Sequence, residues 1–248
     1  VLYFPNCWQF IVSIYAVLKA GKYYTPIDPN SPSGRSDIIL KAAKSRIALS
    51  LSQDDKILKT QEYASDLKVF LFEKISARSN SKEIQDVRLP DAHPFQHAAL
   101  LFTSGSTGVP KGILCSKAMI THIAWRRASK GGYRLGDRYM QVYSSSFMGS
   151  LMATHSALLS GACLCIYRLQ ARGVKSLARW IIQEQITIFH AVTSIYREFV
   201  AGINEIPFKS KLRIIHPGGE KSRISDIRSF KSKFPKGVTY FTSLGSTE

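Results

Sequence analysis

Apolar positions along this chain recur with two different spacings, and the alternation between them predicts its architecture. Trp8, Ile11, Tyr15 and Leu18 mark a helix closed by Gly21. Short apolar runs then alternate with amphipathic stretches. Strands are predicted at 47–51, 68–72, 98–102, 139–143, 162–167, 186–190, 212–215 and 238–241, and Val1-Leu2-Tyr3-Phe4 also reads as strand. Helices are predicted at 35–44, 116–129, 151–160, 174–185, 193–203 and 222–233, with Ser116 as an N-cap. Strand–helix alternation of this kind implies an α/β fold with largely parallel sheets. Residues 73–97 are polar and without a period, so they read as a connection between two α/β halves, about 1–75 and 96–248.

Composition supports a packed core, since 45% of the 248 residues are hydrophobic. No run reaches the ~18 apolar residues of a membrane helix, because 151–167 is broken by His155, Ser156 and Gly161. No charged, apolar and cleavage regions of a signal peptide open the chain. Cys7, Cys115, Cys163 and Cys165 form no CxxC pair, and Cys163 and Cys165 are read as facing opposite sides of a strand. The expectation is reduced core thiols in a cytoplasmic protein, with no membrane partner.

The net charge of +17 raises the question of nucleic acid. The basic residues are scattered, and in the densest stretch, 209–236, they alternate with Ile224, Ile227 and Phe230 as on a solvated helix face. No nucleic-acid partner is expected. The charge suits attraction of a nucleotide or an acidic protein.

Chemistry concentrates in Thr103-Ser104-Gly105-Ser106-Thr107-Gly108-Val109-Pro110-Lys111-Gly112, between the apolar runs 98–102 and 112–115. Glycine lets backbone N–H groups turn toward an anion, four hydroxyls add donors, and Lys111 adds a cation. The P-loop spacing, with its Gly-Lys-Ser/Thr and immediate helix, is absent, so this is a different phosphate loop.

The segment resembles the phosphate loop of the adenylate-forming enzymes, which include nonribosomal peptide synthetase adenylation domains, acyl-CoA synthetases and aryl-acid ligases. Residues 18–29, followed by Pro32 and Arg35, resemble the second core motif of adenylation domains, and Leu244-Gly245-Ser246-Thr247-Glu248 the fifth. A Gly218-Gly219-Glu220 step precedes the latter. The resemblance implies part of the large N-terminal subdomain, with two stacked, largely parallel sheets, a preceding segment, and a following C-terminal subdomain that carries the catalytic lysine.

It also implies ATP-dependent activation of a carboxylic acid as acyl-adenylate, with transfer to a carrier-protein phosphopantetheine or CoA. Thr103 to Gly108 and Lys111 would hold the β- and γ-phosphates. Thr247 would meet the α-phosphate and Glu248 would ligate Mg²⁺, for which a hard carboxylate is suited. Gly218, Gly219, Glu220, Ser243, Leu244 and Gly245 would surround the nucleotide. The family's adenine-stacking aromatic is replaced by Leu244.

Residues 144–150 match the fourth core motif, in which an aspartate binds the ammonium of an amino acid. That position is Met148 here. The acid pocket would be lined by Phe147, Met148, Gly149, Met152, His190, His216, Gly218 and Ser243. For His190 and His216, hydrogen bonding at strand ends stands beside a substrate role. A non-catalytic remnant that binds nucleotide or a partner is the alternative to the enzyme.

Overall fold

The computed structural model describes residues 1–54, 58, 67–78, 89–103 and 110–243. It divides into two compact units: residues 1–120 with 144–148, and, among the described residues, 121–143 with 149–243. The sequence puts the break between residues 75 and 96. The chain instead divides after Ile120, because Tyr24 bridges Ala99 and exchanges backbone hydrogen bonds with Ala98 and Leu100, keeping the following hairpin in the first unit.

In the first unit, β1 (Leu2–Tyr3), β2 (Pro26–Ile27), β3 (Ile47–Ser50) and β4 (Lys68–Leu71) form a parallel sheet of order β2-β1-β3-β4. β5 (His97–Thr103) and β6 (Lys111–Ser116) make an antiparallel hairpin. Helix α1 (Trp8–Lys19) forms as predicted but buries Phe10, Ser13 and Ile14, leaving Trp8 exposed. A helix apolar on nearly every side does not reveal by period which face will be covered. Two further helices are α2 (Ser33–Ala43) and α3 (Phe72–Arg78). The latter starts the segment read as a connection, and Ser52 donates its amide and hydroxyl to Glu73 in its first turn.

The chain continues into α4 (Lys117–Ser129), where Ser116 accepts a hydrogen bond from the Met119 amide at 3.1 Å, the N-cap that the sequence predicts. In the second unit, β7 (Arg138–Gln141), β8 (Cys163–Ile166), β9 (Ile188–Val192), β10 (Ile214–Gly218) and β11 (Thr239–Tyr240) form a parallel sheet of order β11-β10-β9-β7-β8. Helices α5 (Met148–Leu159), α6 (Leu169–Arg172), α7 (Leu177–Gln183), α8 (Thr193–Ala201) and α9 (Ile224–Lys233) connect its strands. Helix α5 starts three residues before its predicted position, because Gly149 and Ser150 are weak helix formers in isolation.

Period-two alternation assigns the faces of this sheet. Met140, Phe189, Ala191 and Ile215 join a large apolar cluster with Ile181, Tyr196 and Phe199. Tyr139, Ile188 and Ile214 fall in another, with Tyr133, Tyr143, Ala153 and Ala157. Cys163 and Cys165, read as opposed, share a face with sulfurs 3.9 Å apart, as residues two apart in a strand must. Cys163 is exposed rather than a core residue. Among the described residues, no helix is long and apolar enough to cross a membrane.

Candidate functional site

In the first unit, β5 ends and β6 begins on either side of the segment that the sequence reads as a phosphate loop. Thr103 ends β5 directly opposite Lys111, which begins β6. Ser104 to Gly108, and Val109, lie outside the described residues. Arg35, from the second core motif, donates to the Phe102 carbonyl at 3.1 Å and holds the strand that enters the loop. The Thr103 hydroxyl is buried without a hydrogen-bond partner among the described residues, while Lys111 is exposed. A buried hydroxyl left unpaired costs about 1–3 kcal/mol, and this one stands where the resemblance expects phosphate oxygens. A free hydroxyl and an ammonium at one loop neck fit a polyanion.

The fourth core motif is tied down in the same unit. Ser144 donates to the buried Asp28 carboxylate at 2.6 Å, the Asp28 amide donates to Ser146 at 2.7 Å, and Ser145 donates to the Phe4 carbonyl at 2.6 Å. The serines of this segment therefore anchor it, and exposed Phe147 and half-buried Met148 follow at the start of α5.

The second unit holds a buried polar cluster. The pairing register sets His190 of β9 beside His216 of β10, their rings stacked with centroids 4.6 Å apart. His190 Nδ1 lies 2.6 Å from the Tyr139 hydroxyl, which accepts from Arg127 Nη1 at 3.0 Å. His216 bonds the Tyr133 hydroxyl through Nδ1 at 3.2 Å and the Ser243 hydroxyl through Nε2 at 2.9 Å. Burial, then the Arg127 charge, pushes the His216 pKa down to about 3. Burial, Arg127 and His216 hold that of His190 well below its usual value. Both imidazoles are thus neutral donors and acceptors at pH 7. The two histidines are hydrogen-bonded in the sheet, and they also form part of a cluster that sequence reasoning did not assemble. Arg127, Tyr133 and Tyr139 were missed. A basic residue in the last turn of a helix reads as solvated, and a tyrosine in a strand reads as core.

The chain order makes this cluster's position informative. From β7 it goes out to β8 and then returns to β9 on the other side, so β7 and β9 flank a topological switch point. Ligands in open parallel sheets bind outside the carboxyl ends of strands at such a point.

Other expected site residues have local roles in the structure. Gly218 ends β10 and bridges Ser243, and a Cβ there would lie 3.0 Å from the Ser243 hydroxyl, so glycine permits the close approach. Gly219 takes a φ of 79°, which glycine tolerates. Glu220 accepts from the Ser194 hydroxyl at 2.8 Å and sits 3.9 Å from Arg197. Met152 lies on α5, one turn beyond Met148, and its sulfur is 4.0 Å from Arg127 Nη2. Leu244, Gly245, Thr247 and Glu248 lie outside the described residues, so the expected metal ligand does too.

Gly149 is the tightest of the pocket positions. A Cβ there would fall 2.5 Å from Tyr143 Cδ1. Gly149→Val is expected to cost about 1–3 kcal/mol by overpacking and to displace the Tyr143 ring, read as a lower denaturation midpoint with an unchanged slope. An unchanged midpoint would show that the ring is free to move.

Comparison with known proteins adds the lineage. The family model "AMP-binding enzyme" matches residues 1–248. The chain is 33% identical over 230 residues to bacitracin synthase 1 of Bacillus licheniformis, covering 89% of this chain and 4% of that protein. It is 28% identical over 243 residues to tyrocidine synthase 3 of Brevibacillus parabrevis, covering 97% of this chain and 4% of that protein. Among solved structures, VinN superposes with a TM-score of 0.84 at 20% identity, covering 100% of this chain and 61% of VinN. The N-terminal subdomain of NpsA from Klebsiella oxytoca gives 0.79 at 23%, covering 100% and 59%. The chain therefore spans a small part of its curated relatives and about three-fifths of these structures. It has the fold of an adenylation N-terminal subdomain, and it belongs to the AMP-binding enzyme family.

Proposed function

We propose that the protein carrying this chain is a ligase that activates a carboxylic acid as an acyl-adenylate. A carboxylate oxygen attacks the α-phosphorus of ATP, the bond to the β-phosphate oxygen breaks, and pyrophosphate leaves. The acyl group then passes to a thiol, of a carrier-protein phosphopantetheine or of CoA, and AMP departs. The observation that carries this reading is the pairing of Thr103 with Lys111 across a hairpin, the Thr103 hydroxyl having no partner among the described residues. It supports the reading together with the family match along the whole chain.

In this scheme Thr103 to Gly108 and Lys111 bind the β- and γ-phosphates, where charge accumulates as pyrophosphate forms. Gly218, Gly219, Glu220, Ser243, Leu244 and Gly245 adjoin the nucleotide, and Thr247 donates to the α-phosphate. Glu248 would hold Mg²⁺, which neutralises phosphate charge when bound. Phe147, Met148, Gly149, Met152, His190 and His216 line the acid pocket.

Met148 narrows the acid. A buried ammonium without a counter-charge costs several kcal/mol, and methionine supplies only an adaptable apolar wall. The expected substrate therefore lacks an α-ammonium: an aryl, hydroxy, keto or short fatty acid. ATP–pyrophosphate exchange by the full-length protein across matched acids and amino acids tests this. Met148→Asp is expected to shift preference toward amino acids by on the order of a hundredfold, the worth of one charge-assisted pair. A wild type that favours a proteinogenic amino acid over its des-amino analogue overturns the assignment. A second reading, a non-catalytic remnant, is favoured by Leu244 and Met148 in place of the usual aromatic and aspartate, and absence of exchange with every acid would select it.

A further inference from the structure

We propose that Arg127 is a specificity-determining residue that receives a second carboxylate on the acid substrate. This rests on the acyl-adenylate reading above and names the substrate class within it.

Arg127 differs from the three arginines of the second unit that form ion pairs. Arg213 pairs with Asp137, Arg197 with Asp226 and Glu220, and Arg138 with Glu184. Arg127, partly buried with its guanidinium against the polar cluster, has no carboxylate partner among the described residues. Its neighbours are the Tyr139 hydroxyl at 3.0 Å, His190 Nδ1 at 3.5 Å and the Met152 sulfur at 4.0 Å. None of these carries negative charge. The Tyr133, Tyr139 and Tyr143 phenols are pushed up by burial and stay protonated, and both histidines stay neutral. A buried cation without a counter-ion is unfavourable unless a ligand supplies the charge.

The donor pattern points the same way. A guanidinium has five N–H donors. Among the described residues, the nitrogen and oxygen acceptors both fall to Nη1, and Nη2 meets a thioether, which accepts weakly. The spare fork matches a carboxylate, which takes two parallel N–H bonds. The location agrees as well. Tyr139 and His190 belong to β7 and β9, the strands that flank the switch point. The Arg127 cation, beside the uncharged Met152 thioether, would repel an ammonium and attract an anion, so the favoured acid carries a second carboxylate and no α-ammonium.

The test uses the full-length protein and two readouts. The first is ATP–pyrophosphate exchange with pairs that differ only in one carboxylate: butanoate against succinate, and benzoate against isophthalate. The diacid is expected to lead by about tenfold or more in at least one pair. Arg127→Met should reverse that ratio, and Arg127→Lys should keep part of it, since a point charge lacks the fork. The ratio is internal to each variant, so partial misfolding does not alter it. If Arg127→Met does not fold, the Arg127→Lys and wild-type ratios decide.

The second readout is the shift in melting temperature caused by succinate or isophthalate without ATP, expected in wild type and lost in Arg127→Met. A wild type that prefers the monoacids, or a ratio unchanged by Arg127→Met, overturns the assignment. Absence of exchange combined with an Arg127-dependent thermal shift would overturn acid activation while supporting the anion site. Absence of both overturns the two together.

Discussion

Asp137→Ala lowers the stability of the folded chain by about 3 kcal/mol, the lower end of the cost of breaking a buried ion pair. The Asp137 side chain is 3% exposed and accepts from Arg213 Nε at 2.7 Å, from Arg213 Nη2, from the Arg134 amide at 2.9 Å and from the Thr187 hydroxyl at 2.8 Å. Burial pushes its pKa up, but these donors outweigh burial and hold it below the usual carboxylate value. Removing the carboxylate takes the acceptor from four donors. Of these, Arg213 Nη2 keeps the Gly132 carbonyl and the Thr187 hydroxyl keeps the Arg138 carbonyl, and Arg213, whose side chain is 23% exposed, keeps only partial access to water. Glu184→Ala provides the contrast. It removes a pair with Arg138 in which the side chains are 35% and 44% exposed, and such pairs contribute less than about 1 kcal/mol. Guanidinium unfolding of both variants measures the difference. Equal losses would show that the Asp137 cluster is solvated and that its geometry adds no stability.

Acidification from pH 7 to 5 is expected to remove about 4 kcal/mol through His155 and His216 alone, close to the whole stability of many domains. His155, His190 and His216 are all buried. Burial pushes His155 down to about 4, and burial with Arg127 pushes His216 down to about 3, while His190 lies well below its ordinary value. In the unfolded chain each titrates near 6.5. Between those limits the unfolded state binds more protons than the folded state, so stability is full above about pH 6.5 and falls as pH falls. At pH 5 His155 and His216 each account for about 2 kcal/mol, and His190 adds in the same direction. The groups facing His190 and His216 are Arg127 and the tyrosines, with no carboxylate among the described residues to restore their basicity. Unfolding free energy measured at half-unit intervals should show a slope of about two protons or more. A flat profile from pH 7 to 5 would mean that these rings are hydrated or already charged, and His155→Gln should reduce the slope by one proton.

Much of the fold was legible because its cause is local. Leu49 and Ala48 in β3, or Phe189 and Ala191 in β9, are apolar positions bounded by turn residues, and their strands lie close to where the pattern puts them. Ser116 caps α4 because a hydroxyl beside free amides is a short-range arrangement. The apolar face of α1 was not legible. With Trp8, Phe10, Ile11, Val12 and Ile14 close together, only the neighbours decide that Phe10 and Ile14 are covered while Trp8 and Val12 are exposed. The start of α5 was hidden for a related reason, since Gly149 and Ser150 have weak helix propensity and are held by packing against Tyr143 and a hydrogen bond from Gln141. The serines at 144–146 read as part of a substrate motif. The structure shows them holding Asp28 and Phe4, bonds between residues more than 100 positions apart.

The sequence by itself determined the α/β class and the family, because these depend on residue order over short spans. Only tertiary structure decided the surroundings of the buried cation. Arg127 ends a helix, Tyr139 lies in β7, and His190 and His216 lie in adjacent strands 26 positions apart in the chain. Their charge states follow from burial and mutual distance rather than from residue type. A guanidinium of ordinary appearance in the sequence becomes unpaired only when the strands set neutral rings, and no carboxylate among the described residues, around it. Long-range convergence leaves no periodic trace along a chain, since any residue type that packs can occupy each position separately.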